Sequence, residues 1–334
     1  MEIRKPKYYD RFSCIAARCP DSCCKEWSVD VDGATAAFYR SLPGSLGDRL
    51  RQVLQDTDDG FQIAIVDGRC PMWRQDGLCR IQAELGHDAL CKVCREFPRL
   101  RHDYGDFMEL GLELSCPEAA RLILSDGRRE WITETVAEVV CPEYDTDVMA
   151  TLLRSREEFL SFLDDAALPF PHILAVMLLY IHDVQEEIDG STKAVLLPEE
   201  LLSNAHRFHC DGNLALLRDF FRGLEILTPR WDTLLKSPVA HPRWDSNYKA
   251  LLRYFIDRWW LQAVSDFDIL CRGKFMIAAC LLIASLEGAF IENAQLFSKE
   301  IENDPDNVEA ILDGAYTAQA LTDTNLLYLL MCGV

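Results

Sequence analysis

The stretch "CPDSCCKEW", residues 19–27, places three cysteines within six positions, and two of them are adjacent. It belongs to a larger group, because nine of the chain's fourteen cysteines lie in the first 116 residues. Adjacent cysteines form a disulfide only with severe strain, and stable disulfides are rare in a reducing compartment. Metal ligation therefore explains this group better than disulfide pairing, and we expect it to organise the N-terminal third of the fold.

The nine cysteines come from four separated stretches. These are "CIAARCPDSCC" (14–24), "CPMWRQDGLCRIQ" (70–82), "CKVCREFPR" (91–99) and "SCPEAA" (115–120). Thiolates select zinc or iron–sulfur clusters, and four of them complete a site of either kind. The cysteine spacing does not decide between zinc and an iron–sulfur cluster. A metal with a purely structural role, which holds a loop-rich half together, is a further interpretation. A CxxxCxxC loop of the radical-enzyme type is absent, because Glu26 stands where the third cysteine would follow Cys23.

Charge and hydropathy exclude several classes of partner. The net charge of −20 and the isoelectric point near 4.7 argue against nucleic acid, since phosphate binding needs clustered lysine and arginine. Such a surface suits a basic partner, for example a protein that presents lysines. The apolar stretch 275–290 is too short to span a bilayer and predicts a buried helix. The N-terminus shows no secretion signal, so we expect a cytoplasmic protein without a membrane partner.

The pattern of apolar residues predicts a mainly α protein with two halves. Residues 1–125 are expected to form a loop-rich, cysteine-rich metal or iron–sulfur domain with a few short strands, such as "FQIAIV" and "FMELGLELS". Residues 126–334 show apolar spacings of three and four, which predict six or seven helices. No low-complexity linker separates the halves, so we expect them to pack against one another.

The cysteine stretches also carry a resemblance to a known family. The segments "RFSCIAARCPDSCCKEWSVDVD", "CPMWRQDGLCRIQAELGHDALCKVCREFPR" and "LELSCPEAARLIL" resemble the flagellin lysine N-methylase family. The N-terminal half of that family is similar to a wider group of small zinc- or iron-chelating cysteine domains. The wider group's shared core falls on Cys23, Cys24, Cys70, Cys79 and Cys94. The additional cysteines of the methylase-like branch fall on Cys14, Cys19, Cys91 and Cys116.

The resemblance implies transfer of methyl groups to lysine ε-amines of a protein, flagellin or another, with S-adenosylmethionine as the donor. The residues themselves support less, because no GxGxxG loop or other nucleotide loop follows a strand, and no residue is assigned to donor binding. A non-enzymatic zinc- or iron-chelating module, or a redox sensor that docks a partner, is the alternative. Nine dispersed thiols favour one 4Fe-4S cluster, with zinc as the second choice.

Lysine methylation needs a neutral amine, so a channel of aromatic and carboxylate groups would suit the substrate. Three residues near the cysteines are therefore candidates for catalysis: Arg95, Tyr104 and Glu118. Arg95 could hold a carboxylate or the sulfurs of a cluster. Other side chains that could line the channel are Tyr8, Tyr9, Trp27, Trp73, Glu26 and Glu96.

Overall fold

The structure is a computed structural model that describes residues 1–58, 60–125, 130–136, 142, 144–191, 214–238, 241–244 and 247–331. Two sheets lie in its N-terminal part. The larger sheet contains, in spatial order, the strands Arg99–Asp103, Phe107–Leu112, Glu2–Pro6 and Trp131–Thr135. Its two middle strands are parallel and the outer pairs are antiparallel. The smaller sheet is antiparallel, with the order Val29–Val31, Gly60–Ile63, Leu54–Thr57.

Helices dominate the rest of the described chain. Those of the N-terminal part are Gly33–Ser41, Gly44–Val53, Arg80–Leu85, Lys92–Glu96 and Pro117–Ser125. Those that follow are Thr146–Asp165, Phe170–Ile188, Leu214–Arg222, Pro229–Lys236, Tyr248–Trp259, Ile269–Ser285, Phe290–Phe297, Pro305–Thr317 and Asp323–Met331. A five-residue π-helical turn, Ser298–Glu302, continues one of them. The prediction of a mainly α protein is thus confirmed.

The buried apolar side chains form two clusters of different size. The larger cluster joins the C-terminal helices, and helix Ile269–Ser285 lies within it with all but one of its residues buried. A helix that is apolar on every side is expected in the interior of a large core. The smaller cluster draws only on residues from Val29 to Cys91, around the smaller sheet. The cysteine-rich segment therefore has a modest apolar core of its own.

The larger cluster crosses the predicted boundary between the two halves. Phe12, Phe107 and Leu114 belong to it together with the C-terminal helices. Strand Trp131–Thr135 pairs with strand Glu2–Pro6, so the chain returns to the N-terminal sheet before it becomes helical. The boundary itself, at residue 126, lies outside the described residues, and the division into two domains stays a prediction.

Two of the longer helices, Thr146–Asp165 and Ile269–Ser285, begin with a side-chain N-cap. Asp145 accepts hydrogen bonds at 3.0 Å from the N–H groups of Asp147 and Val148, and Asp268 accepts one from Cys271. Such caps satisfy amides that have no partner within the helix. No helix among the described residues is long and apolar enough to cross a membrane.

Candidate functional site

A cavity of about 380 Å³ lies where the first cysteine stretch meets the C-terminal helices. Seven cysteines line it: Cys14, Cys19, Cys23, Cys24, Cys79, Cys94 and Cys116. All seven belong to the set that the sequence predicts as metal ligands. The other two, Cys70 and Cys91, do not line it and are 7% and 2% exposed. The fold thus brings together thiols as far apart in sequence as Cys14 and Cys116.

Local backbone structure places several of these thiols. Cys79, Cys91 and Cys116 each stand immediately before the first residue of a helix. Burial raises the pKa of Cys116 to about 11, while the N–H groups of Ala119 and Glu118 act in the opposite direction. The exposed amides and dipole at a helix start favour the thiolate form.

Asp32 fixes the position of the CKVC segment relative to the smaller sheet. Its carboxylate accepts a hydrogen bond from Thr35 N at 3.0 Å, which caps helix Gly33–Ser41, and another from Lys92 N at 3.0 Å. These backbone donors, that of Lys92 first, lower the pKa of Asp32. One carboxylate therefore holds the starts of two helices, and the second of these helices carries Cys94.

Two pairs of thiols are close neighbours. The side-chain contact with Cys23 lowers the pKa of Cys24 to about 7, and the contact with Cys94 lowers the pKa of Cys91 to about 7. The same contacts, with burial, raise the pKa of Cys23 and of Cys94. Each pair therefore favours one thiolate near neutral pH, which is the form that binds metals. Within the described part of the chain, no three histidine, cysteine, aspartate or glutamate side chains stand close enough together to hold one metal ion.

A lysine from the far end of the chain completes the cavity wall. Lys299, in the π-helical turn, has a side chain only 1% exposed. Its ammonium lies 3.0 Å from both carboxylate oxygens of Asp21 and also forms an ion pair with Glu26. The ring of Trp27 faces the same ammonium at 5.2 Å, a cation–π distance. Three residues of the opening stretch therefore enclose one ammonium.

Gln295 strengthens this connection from the preceding turn of the helix. Its Nε2 donates to Asp21 Oδ2 at 3.0 Å and to the carbonyl of Ser115, next to Cys116, at 2.8 Å. Glu26 has a φ of 73°, a left-handed conformation that costs a non-glycine residue free energy. The ion pair with Lys299 helps to hold it there. The sequence contains no signal for this contact, because a lysine in an amphipathic helix normally indicates the solvent face.

The three predicted catalytic residues do not converge. Arg95 donates a long hydrogen bond, 3.4 Å, to the carbonyl of Leu90. Glu118 forms a bidentate ion pair with Arg121 in the first turn of its helix, and this pair lowers the pKa of Glu118. Tyr104 lies away from the thiol-lined cavity, in a second cleft. Trp27, by contrast, does line that cavity.

The second cleft is wider, about 1040 Å³, and lies between the larger sheet and the C-terminal helices. Its sheet side is the turn from Arg101 to Gly105, and its helical side is formed by Gln262, Val264, Ser265 and Phe267. Tyr144 and Asp145 close one end, and the Tyr144 hydroxyl donates to Asp106 Oδ1 at 2.7 Å. The ring of Tyr104 stacks on Phe107 at 4.8 Å. The cleft is thus aromatic and mainly acidic, with one arginine at its edge.

His102 forms part of the cleft wall. Its Nε2 is buried and has no hydrogen-bond partner among the described residues. Burial and the positive charge of Arg258 lower the pKa of His102 to about 4, a shift that Arg156 supports and Glu109 opposes. The imidazole is therefore neutral at physiological pH. Neither His102 nor the cleft is indicated by the sequence pattern.

The chain is similar in sequence to three known bacterial proteins described below. No protein-family model and no solved structure matches it. The Lysine-N-methylase of Salmonella typhimurium is 34% identical over 134 residues, which are 37% of this chain and 33% of that protein. The Lysine-N-methylase of Salmonella choleraesuis is 33% identical over 134 residues, which are also 37% of this chain and 33% of that protein.

A third relative is covered more fully. The Flagellar biosynthetic protein FliU of Salmonella muenchen is 32% identical over 134 residues, 37% of this chain and 78% of that protein. The match thus spans about a third of the two lysine-N-methylases but most of FliU. This similarity, together with the gathered cysteines, shows that the chain belongs to the flagellin lysine N-methylase family.

Proposed function

We propose that this chain methylates lysine ε-amines of a protein, with S-adenosylmethionine as the methyl donor and flagellin as the first substrate to test. The observation that carries the proposal is family membership, since two relatives bear the name Lysine-N-methylase. Cysteines of the N-terminal part would bind a 4Fe-4S cluster, with zinc as the second choice. The acidic net charge of −20 is suited to a basic, lysine-bearing partner.

The thiol-lined cavity fits a cluster in the kind and number of its donors. A cluster takes four thiolates, and the cavity wall offers seven thiols within a space much larger than one ion needs. Among the thiols of this wall, Cys24 favours the thiolate that a metal requires. When bound, such a centre supplies a structural anchor for the loop or an open position for the donor's amino and carboxylate groups.

The reaction sets its own requirements on the protein. The ammonium must first lose a proton, although a free lysine has a pKa near 10.4. The nitrogen lone pair then forms a bond to the methyl carbon while the carbon–sulfur bond breaks. Sulfur keeps that electron pair, so the donor leaves as a neutral thioether. A desolvated, aromatic site favours the neutral amine before attack and tolerates the methylated product afterwards.

The second cleft has the properties that the lysine-bearing segment requires. It presents the rings of Tyr104 and Tyr144 and the carboxylates of Asp103 and Asp145. Its volume is also well above that of a single side chain. We therefore place the substrate segment in this cleft rather than in the thiol-lined cavity.

A charge introduced at Ser265 tests this placement. Ser265 is exposed, lines the cleft, and donates only to the carbonyl of Gln262 at 2.8 Å. Ser265→Arg should weaken binding of a lysine peptide roughly tenfold, because a like charge lies within several ångströms of the ammonium. Ser265→Glu should leave binding equal or tighter. Fluorescence anisotropy with a labelled peptide measures both, without any methyl donor.

A matched control is available in the N-terminal part. Ser41 is also exposed and donates to the carbonyl three residues earlier, Phe38, at 2.7 Å. Ser41→Arg adds the same charge far from the cleft and should leave peptide affinity within about twofold. A peptide with norleucine in place of lysine should bind the original protein weakly. Equal binding of both peptides, or equal effects of both arginines, would rule out the cleft as the substrate site.

The function itself is tested with protein purified without oxygen or chelators. Transfer of a labelled methyl group from S-adenosylmethionine to flagellin, mapped to lysines by mass spectrometry, is the expected result. Iron, zinc and acid-labile sulfide are measured on the same sample. A protein that holds metal but neither binds the donor nor methylates flagellin would support the metal-chelating or redox-sensing alternative instead.

A further inference from the structure

Phe267 has an unusual backbone conformation at the helical side of the second cleft. Its φ is 62°, in the left-handed region that costs a residue other than glycine free energy. The side chain is large and apolar, and yet it is 45% exposed. It belongs to neither of the two apolar clusters of the described chain. The protein therefore carries a strained aromatic residue whose ring is not part of a core.

The hydrogen bonds around Phe267 fix its backbone and leave its ring exposed. Its N–H donates to the carbonyl of Ala263 at 2.8 Å, and its own carbonyl accepts from Gln185 Nε2 at 2.8 Å. The other amide atom of Gln185, Oε1, accepts from Ile269 N at 3.0 Å. One side chain of a neighbouring helix thus holds the backbone at two points of this turn. Strain that is maintained in this way is typical of functional positions.

The two sides of the cleft differ in chemistry. The sheet side carries the ring of Tyr104 and the carboxylate of Asp103, whose side chain is 53% exposed. Of the four described residues that form the helical side, none is charged and Phe267 alone is aromatic. The sheet side is therefore suited to an ammonium group and the helical side to an apolar side chain.

A peptide in an extended conformation would match both sides at once. Successive side chains of an extended segment point to opposite faces, so two neighbours in sequence would meet opposite sides of the cleft. A lysine directed toward Asp103 would then place the residue beside it against Phe267. A ring whose backbone is already fixed loses little conformational freedom on binding, and rigid aromatic side chains often supply much of the affinity of an interface.

From these observations we infer that Phe267 is the anchor for the residue next to the substrate lysine. The cleft accordingly prefers a lysine that has a large apolar neighbour in sequence, such as leucine. This inference rests on the proposed function, which places the lysine-bearing segment in this cleft, and adds a substrate class to it. Phe267 acts by burying apolar surface of the bound peptide and takes no part in proton or methyl transfer.

Binding of two labelled peptides to the full chain tests the inference without a methyl donor. The peptides are identical except that the lysine is flanked on both sides by leucine in one and by serine in the other. The leucine peptide should bind the original protein roughly tenfold more tightly. Phe267→Gly should weaken the leucine peptide roughly tenfold and the serine peptide by less than about twofold, because only an apolar contact is removed. Phe267→Tyr keeps an aromatic ring and should retain most of the preference.

Thermal unfolding of the same variants separates binding from stability. Glycine adopts a φ of 62° without strain, so Phe267→Gly should unfold at the same temperature as the original protein or at a higher one. Phe38→Ala is the matched control, because Phe38 is also exposed, at 42%, and lies on helix Gly33–Ser41, which does not line the cleft. It should leave the affinity of both peptides within about twofold.

Equal binding of the two peptides to the original protein, or equal weakening of both by Phe267→Gly, would overturn the inference. The same loss of leucine-peptide affinity in Phe38→Ala would also overturn it. If Ser265→Arg still weakens both peptides in that case, the cleft remains the substrate site and only the anchor is wrong. A protein that shows the Phe267-dependent preference but transfers no methyl group would instead overturn the proposed methyl transfer alone.

Discussion

Replacing Lys299 by methionine is expected to lower the free energy of unfolding by about 3 kcal/mol and to loosen the loop formed by residues 19–27. Methionine keeps the unbranched shape, so the loss comes from charge rather than from packing. It leaves Asp21 and Glu26 without their cation. The expected loss of stability lies in the lower part of the range for a broken buried ion pair, because the side chains of Asp21 and Glu26 are 22% and 29% exposed.

The same substitution should have a second effect, on the cysteines. Asp21 and Glu26 flank Cys23 and Cys24, so release of the loop should raise the rate at which Cys23 is alkylated in metal-free protein. It should also lower the iron retained after anaerobic purification. Denaturant titration, timed alkylation with peptide mapping, and iron analysis measure the three effects.

Lys236→Met is the matched control for Lys299→Met. Lys236 pairs with Asp232 one helical turn away, and its side chain is 57% exposed. Exposed pairs of this kind contribute about 0.5 kcal/mol, so this variant should resemble the original protein in all three measurements. Equal stability and equal Cys23 reactivity in the two methionine variants would show that Lys299 does not hold the loop.

In a separate variant, replacement of Arg156 by methionine is expected to lower the free energy of unfolding by about 3 to 5 kcal/mol. Its guanidinium forms two hydrogen bonds of 2.7 Å with Glu109, and both side chains are nearly inaccessible, at 2% and 3% exposure. The pair joins a central strand of the larger sheet to helix Thr146–Asp165. Arg156→Met leaves a buried carboxylate whose next cation, Arg4, is 4.0 Å away. Denaturant titration measures the loss.

Two further variants define the cause. Arg154 lies two residues earlier on the same helix and pairs with Glu158 and Glu187, but its side chain is 40% exposed. Arg154→Met should therefore cost less than about 1 kcal/mol. The double change Arg156→Met with Glu109→Leu should regain much of the loss, since it removes the unpaired charge. A double variant as unstable as Arg156→Met would instead indicate a packing defect.

Local sequence pattern was enough to predict several features of this protein. Apolar spacings of three and four predicted six or seven helices after residue 126, where the described residues form nine. Short strands were predicted at "FQIAIV" and "FMELGLELS", and strands Gly60–Ile63 and Phe107–Leu112 overlap these stretches. Cysteine spacing identified nine thiols, seven of which line one cavity. It also indicated the family that the relatives confirm. These features depend on residues close together in the chain, where periodicity and spacing report burial directly.

Other features depend on contacts between distant residues. Lys299 meets Asp21 across 278 positions, and its helical pattern alone would place it at the surface. Tyr104 was predicted beside the cysteines, yet the turn that carries it faces the second cleft with His102.

The sequence by itself therefore determined which residue types and elements are present. Only the tertiary structure decided which thiols line one cavity and which charges meet. The reason is physical: burial and pairing energies depend on which surfaces pack together, and no local pattern specifies that partner.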